Sequence, residues 1–142
     1  MKFQFAPLSA SRELRPVVPV AFPGLDPDAL FPALVDSGAM GTRVSAEIAE
    51  QMELDLTEAE QGHFWVGGIK YRCWYVRVPM TVGRYTWNCE VAFADGWVHD
   101  HPLLGLRGFF EQFKVTIDTK TQTTTLTPLQ HPGDPVFPAL RT

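Results

Sequence analysis

At 142 residues, 45% hydrophobic and 20% charged, the chain has room for one globular domain with a proper core and is too short for two ordinary ones. Its net charge of −4, with no basic run or face, argues against a nucleic-acid partner, and no apolar segment is long enough to span a bilayer. Two cysteines, Cys73 and Cys89, are too few for a disulfide scaffold; both sit in strand-like runs and read as buried free thiols of a cytoplasmic protein.

Twelve prolines and eleven glycines imply many turns. Short runs of Val, Thr, Tyr, Phe and Trp outnumber helical patterns, so an all-β fold of short strands is expected. In chain order, residues 1–14 are polar and mixed and read as a flexible arm, without the continuous apolar stretch of a signal peptide. "RPVVPVAF" (15–22) reads as a strand that Pro16 and Pro19 confine to a sheet edge. "FPALVD" (31–36) is apolar enough to be a strand covered on both faces, and "SGAMGT" breaks it. "SAEIAEQMEL" (45–54) has the best helix start, with Ser45 as cap, Glu47 in the first turn, and Ile48, Ala49 and Met52 on one face. "HFWVGGIKYRCWYVRVPM" reads as two strands joined at Gly67–Gly68, and a second turn is expected at Gly83–Arg84. "ADGWVHDHP" is a loop, "LLG" (103–105) a short buried strand, "LRGFFEQF" (106–113) a short helix, and 114–128 a closing hairpin. Residues 129–142 form a proline-rich tail.

The residue that needs explaining is Asp36. It ends an apolar strand, where a carboxylate is costly unless its charge is shared or solvated. Asp-Ser-Gly alone is ordinary turn chemistry. Its setting is not ordinary: an apolar strand before it, a helix after it, a glycine-tipped hairpin, then a second apolar pair ending in glycine. Other chemistries are poorly supported. His99 and His101 lack a third ligand, so no metal site is expected. There is no Gly-x-Ser-x-Gly elbow or phosphate-cradling loop, and Cys73 has no nucleophile signature around it.

In order and spacing, "LVDSGA", "WVGGI" and "PLLGLRGFF" resemble the retropepsin-like aspartic proteases, the single-lobe relatives of pepsin, over residues 15–128. "LLGLRGFFEQFKVTID" is most similar to bacterial members. The resemblance implies a closed, barrel-like sheet with a flap hairpin and one or two short helices. It also implies peptide hydrolysis by a water activated between two aspartates, with no cofactor and no metal. Two close carboxylates cannot both ionise, so they share one proton. The chain has one such triplet, so the pair implies a homodimer contributing Asp36 twice.

By the same resemblance, Ser37 would hydrogen-bond across the axis, Gly38 would let backbone approach the carboxylates, and Ala39 would complete the loop. Leu103 and Leu104 would pack beside it, with Gly105 permitting close contact. Gly67 and Gly68 would tip the flap, and Phe64, Trp65 and Ile69 would line the cleft that takes a peptide or protein substrate. Two positions depart from the retroviral pattern: Met40 and Leu106 stand where an acid and an arginine tie retroviral dimers together. The rival reading is a retropepsin-fold binding or assembly module without turnover.

Overall fold

The fold is described from a computed structural model, for residues 1–8 and 11–129. Ten strands and one short helix follow one another: β1 (Lys2–Gln4), β2 (Val17–Val20), β3 (Phe31–Val35), β4 (Thr42–Ser45), α1 (Ala46–Gln51), β5 (Glu60–Val66), β6 (Ile69–Val82), β7 (Tyr85–Ala94), β8 (Leu103–Leu104), β9 (Phe113–Asp118) and β10 (Thr123–Pro128). They form a seven-stranded sheet in the order β2-β3-β8-β4-β7-β6-β5 and a three-stranded sheet in the order β1-β10-β9.

Local chemistry accounts for most of the elements. β5 and β6 meet at Gly67 and Gly68, with φ of 58° and 80°, the left-handed pair that a two-residue hairpin turn needs. β6 and β7 meet at Gly83, φ 59°. Pro19 is tolerated because β2 is an edge strand, as expected. The Ser45 hydroxyl accepts the Glu47 N–H at 3.2 Å and starts α1. The helix stops at Gln51, earlier than the expected 54, and Glu53 turns left-handed at φ 57°.

The main core lies between the sheets and α1. Val18, Val44, Val91, Phe93, Phe109 and Leu126 are all fully buried there. Trp87 meets Phe113 edge-on at 5.1 Å, and its indole N–H donates to the Gly108 carbonyl at 2.7 Å. A smaller cluster of Phe64, Tyr71, Cys73, Ala92 and Ala94 sits separately under the β5–β6 hairpin. Cys73 and Cys89 are buried free thiols, as expected.

Three expectations are corrected. The amino-terminal arm is partly ordered: Lys2, Phe3 and Gln4 pair with Thr125, Thr124 and Thr123, and the Met1 ammonium donates to the Leu126 carbonyl at 2.9 Å. Residues 106–112 form turns and no α-helix, because Gly108 sits at φ 90°, its N–H held by the Glu111 carboxylate and its carbonyl by Trp87. β3 is fully covered on one face only: Ala33 and Val35 are buried, whereas Phe31 and Leu34 are half-buried and Pro32 is exposed. Most of the proline-rich tail expected at 129–142 lies outside the described residues.

Candidate active site

Asp36 follows β3 directly, and its position is set by a crossing of three segments. β3 runs parallel to β8, with Leu34 opposite Leu103 and Val35 opposite Leu104. β8 in turn lies against β4, with Leu103 opposite Arg43. The chain therefore leaves β3 through the loop 36–41, returns as β4, and has β8 inserted between the two. The Leu34 N–H donates to the Pro102 carbonyl at 3.0 Å, and the Asp36 N–H to the Leu104 carbonyl at 2.9 Å. On the far side, the Leu106 and Arg107 N–H groups donate to the Ala39 and Met40 carbonyls, each at 2.9 Å. The loop is bonded to β8 at Asp36 and to the segment after β8 at Ala39 and Met40.

This closeness explains two glycines and a threonine. A side chain at Gly105 would collide with the Gly41 carbonyl oxygen and come within 2.7 Å of the Ala39 oxygen; both are backbone atoms that cannot step aside. At Gly38 an added carbon would lie 3.1 Å from an Asp36 carboxylate oxygen, Oδ1. That oxygen already accepts the Gly38 N–H at 2.8 Å. Thr42 is buried, donates its hydroxyl to the Arg107 carbonyl at 2.9 Å and accepts the Gly105 N–H at 3.3 Å. Sequence reasoning missed Thr42, for a lone threonine in a strand gives no sign of a partner 65 residues away.

The Asp36 carboxylate is half-buried, and among the described residues its second oxygen, Oδ2, has no protein hydrogen-bond partner. Ser37 and Gly38 are exposed and Ala39 is half-buried. Met40, 61% exposed, and Leu106, 39% exposed, stand on the two segments that bond to each other, so the loop presents an apolar rim. Leu103 and Leu104 are buried beside it.

The structure thus brings together Asp36, Ser37, Gly38, Ala39, Leu103, Leu104 and Gly105. The hairpin residues form a second group at the opposite edge of the sheet order. Trp65 is 67% and Ile69 44% exposed, next to the open turn of Gly67 and Gly68. Phe64 differs from its neighbour because strand residues alternate between faces. It is buried, stacks on Tyr71 at 5.4 Å, and lies beneath the Arg43 guanidinium at 3.9 Å.

His99 and His101 sit in the 95–102 loop. His101 faces the Asp100 carboxylate at 3.2 Å, and its carbonyl accepts the Trp97 indole N–H at 3.1 Å. Among the described residues no group of three or more His, Cys, Asp or Glu is placed to hold a metal, and no helix is long and apolar enough to cross a membrane.

No family model matches the sequence, and no curated protein is significantly similar to it. Solved structures are similar in fold. One is a retropepsin-like aspartic protease from Rickettsia conorii, with a TM-score of 0.62 at 18% identity over 87% of this chain and 97% of the other. Another is the retroviral protease-like domain of Ddi1 from Leishmania major, with a TM-score of 0.57 at 18% identity over 84% of this chain and 97% of that domain. With its Asp36 loop threaded against β8 and β4 and its glycine-tipped hairpin, the chain has the all-β, retropepsin-like fold.

Proposed function

We propose that the protein is an aspartic endopeptidase whose catalytic pair is Asp36 from each of two chains. The observation that carries this reading is the Asp36 carboxylate. One of its oxygens is fixed by the Gly38 N–H, and the other has no protein partner among the described residues. Its loop is locked by backbone bonds on both sides. A carboxylate held rigidly at a surface loop is suited to meet its own copy across a two-fold axis. The paired groups then hold one proton between them. The ionised oxygen takes a proton from a water, and the protonated one polarises the scissile carbonyl, so the water adds to the carbonyl carbon without a covalent enzyme intermediate.

The other residues take roles around that pair. Ser37 bridges the two loops through its hydroxyl, while Gly38 and Ala39 keep the approach to the carboxylates narrow. Leu103, Leu104 and Gly105 support the loop from behind. The hairpin tip at Gly67 and Gly68 closes over a bound peptide, with Trp65 and Ile69 as its contact surface and Phe64 as its buried footing. Met40 and Leu106 replace a charged tie between subunits by apolar contact, which their exposure at the loop rim supports.

The test is hydrolysis of a denatured protein mixture by the wild type and by Asp36→Asn, together with the sedimentation mass of each. Asp36→Asn removes both carboxylates of the homodimer's pair and should lower the rate by about a thousandfold or more while the fold and mass stay unchanged. The rate should be highest on the acid side of neutrality. Cleavage that persists in Asp36→Asn, or a rate that climbs steadily to pH 9, contradicts the mechanism.

A further inference from the structure

The register of the large sheet carries one more residue to the Asp36 site. A single lateral row crosses it: Val17, Leu34, Leu103, Arg43, Ala92 and Tyr75 are successive cross-strand neighbours. Leu34 lies two residues before Asp36 on the same strand face, and Arg43 is two strands away from it, about 10 Å at ordinary strand spacing. The floor beside the catalytic loop is therefore aliphatic up to Leu103 and then bears a guanidinium.

That guanidinium is unusual in its surroundings. Arg43 is only 8% exposed, and no carboxylate lies within ion-pair distance of it among the described residues. Phe64 covers one face of it, and the Tyr75 hydroxyl stands close enough to favour its charged form. The five N–H donors of the guanidinium exceed what one tyrosine oxygen can accept. Burial foremost, and the nearby charge of Arg107, lower its pKa, but a guanidinium is so strong a base that the group stays cationic. A buried, unpaired cation is costly in a finished structure. It borders a cavity of about 250 Å³ formed with Met40, Gly41, Tyr75, Glu90 and Arg107. Glu90, the one acid in that wall, stands opposite Arg77 across β6 and β7, so the local balance remains positive.

We propose that Arg43 is a specificity residue that receives a carboxylate side chain of the peptide substrate, so that the protein selects sites with Asp or Glu next to the bond cleaved. This rests on the protease reading above and adds the class of substrate. The planar fork of an arginine matches a carboxylate through two parallel hydrogen bonds, which Gln or Asn in the peptide cannot reproduce with charge. A site built around a buried ionic donor rejects ligands that leave it unpaired.

Two arms test this and separate it from the reading it rests on. In the first, the wild type digests a tryptic peptide mixture, and the residues flanking each new terminus are counted by mass spectrometry against the mixture itself. Asp and Glu should be enriched roughly tenfold or more at one flanking position, the scale expected for a hydrogen-bonded ion pair. Arg43→Met should bring that enrichment to background, and Arg43→Lys should keep part of it. Cleavage by the wild type without acidic enrichment overturns the carboxylate site and leaves the protease reading standing. In the second arm, Asp36→Asn is titrated with two fluorescein-labelled heptapeptide pools, identical but for Glu or Gln at the centre. The Glu pool should bind roughly tenfold tighter, and the difference should vanish in the Asp36→Asn, Arg43→Met double variant, whose melting curve shows whether it is folded. Equal binding of the two pools overturns the proposal even if no cleavage is ever seen.

Discussion

The loop that carries Asp36 and the tip of the β5–β6 hairpin are both built on glycine, and glycine serves opposite purposes in them. In the loop region, Gly105 exists because there is no room: two carbonyl oxygens occupy the space its side chain would take. At the hairpin tip, Gly67 and Gly68 have nothing within 4 Å of an added side-chain carbon, and only their positive φ demands glycine. One glycine is a packing element of a crowded site; the other two are conformational elements of an open surface turn. The proposed protease needs both, since its pair of aspartates would be held still while the hairpin opens and closes over substrate.

Substitutions should separate the two regions sharply. The largest effects fall at the loop: Leu104→Ala removes a fully buried side chain and should cost about 2–5 kcal/mol in urea unfolding. Gly105→Ala forces backbone apart and should cost about 3 kcal/mol or more, enough to threaten folding altogether. Gly67→Ala or Gly68→Ala should cost about 1 kcal/mol each, the ordinary penalty for a left-handed non-glycine residue. Should the tip glycines prove as sensitive as Gly105, the hairpin is packed and not free. Trp65→Ala should change stability by less than about 0.5 kcal/mol, because the side chain is 67% exposed, yet it should raise KM in the proteolysis assay.

Much of this contrast could be read from the sequence, and the reasons differ by region. Asp36, the Leu-Leu-Gly motif and the Gly-Gly tip are short local patterns whose chemistry is legible without knowing what lies nearby. The segment at 106–113 has a plausible helical pattern, but Gly108 is pinned at φ 90° by Glu111 and by Trp87, and the contact with Trp87, 21 residues earlier, is invisible locally. β1 was hidden for the same reason, since its partners lie more than 100 residues away. Phe64 is buried and Trp65 exposed because alternation in β5 fixes which of two adjacent aromatics faces in, and that register cannot be read locally. Arg43 lies inside a short strand with nothing around it to mark a site; only the row of cross-strand partners places it two strands from the one that leads into Asp36.

The cysteines sharpen the comparison at a smaller scale. Burial pushes the Cys89 thiol up to about 12 and raises that of Cys73 as well. Neither should react with a disulfide reagent at pH 8 in the folded protein, and both should in urea. Cys73 lies in the small cluster under the hairpin and Cys89 in the main core. If the hairpin opens locally, Cys73 reacts before global unfolding and Cys89 does not. Equal rates for the two thiols would mean that the hairpin and core unfold together.

The smallest expected effect lies far from both regions, in the β9–β10 turn. The Asp118 carboxylate accepts the Thr121 and Lys120 N–H groups at 3.1 and 2.9 Å, and these bonds, that of Thr121 foremost, hold its pKa below the usual carboxylate value. A depressed folded value means stabilisation that is present above the unfolded carboxylate range, near about 3.9, and is lost as pH falls through the folded value. Asp118→Asn should slightly lower the urea midpoint at pH 7, and the difference from wild type should shrink on acidification below about pH 4. A constant difference across that range would assign the effect to something other than ionisation.

The central claim is that Asp36 acts only as a pair drawn from two chains. It is tested most directly by mixing a fixed amount of wild type with a ninefold excess of Asp36→Asn, letting subunits exchange, and measuring peptide hydrolysis. If the site needs two aspartates, wild-type chains are captured in mixed dimers and activity falls to about one tenth. Activity that stays at its starting value after complete exchange would mean that one chain suffices, and the paired-aspartate account would be wrong.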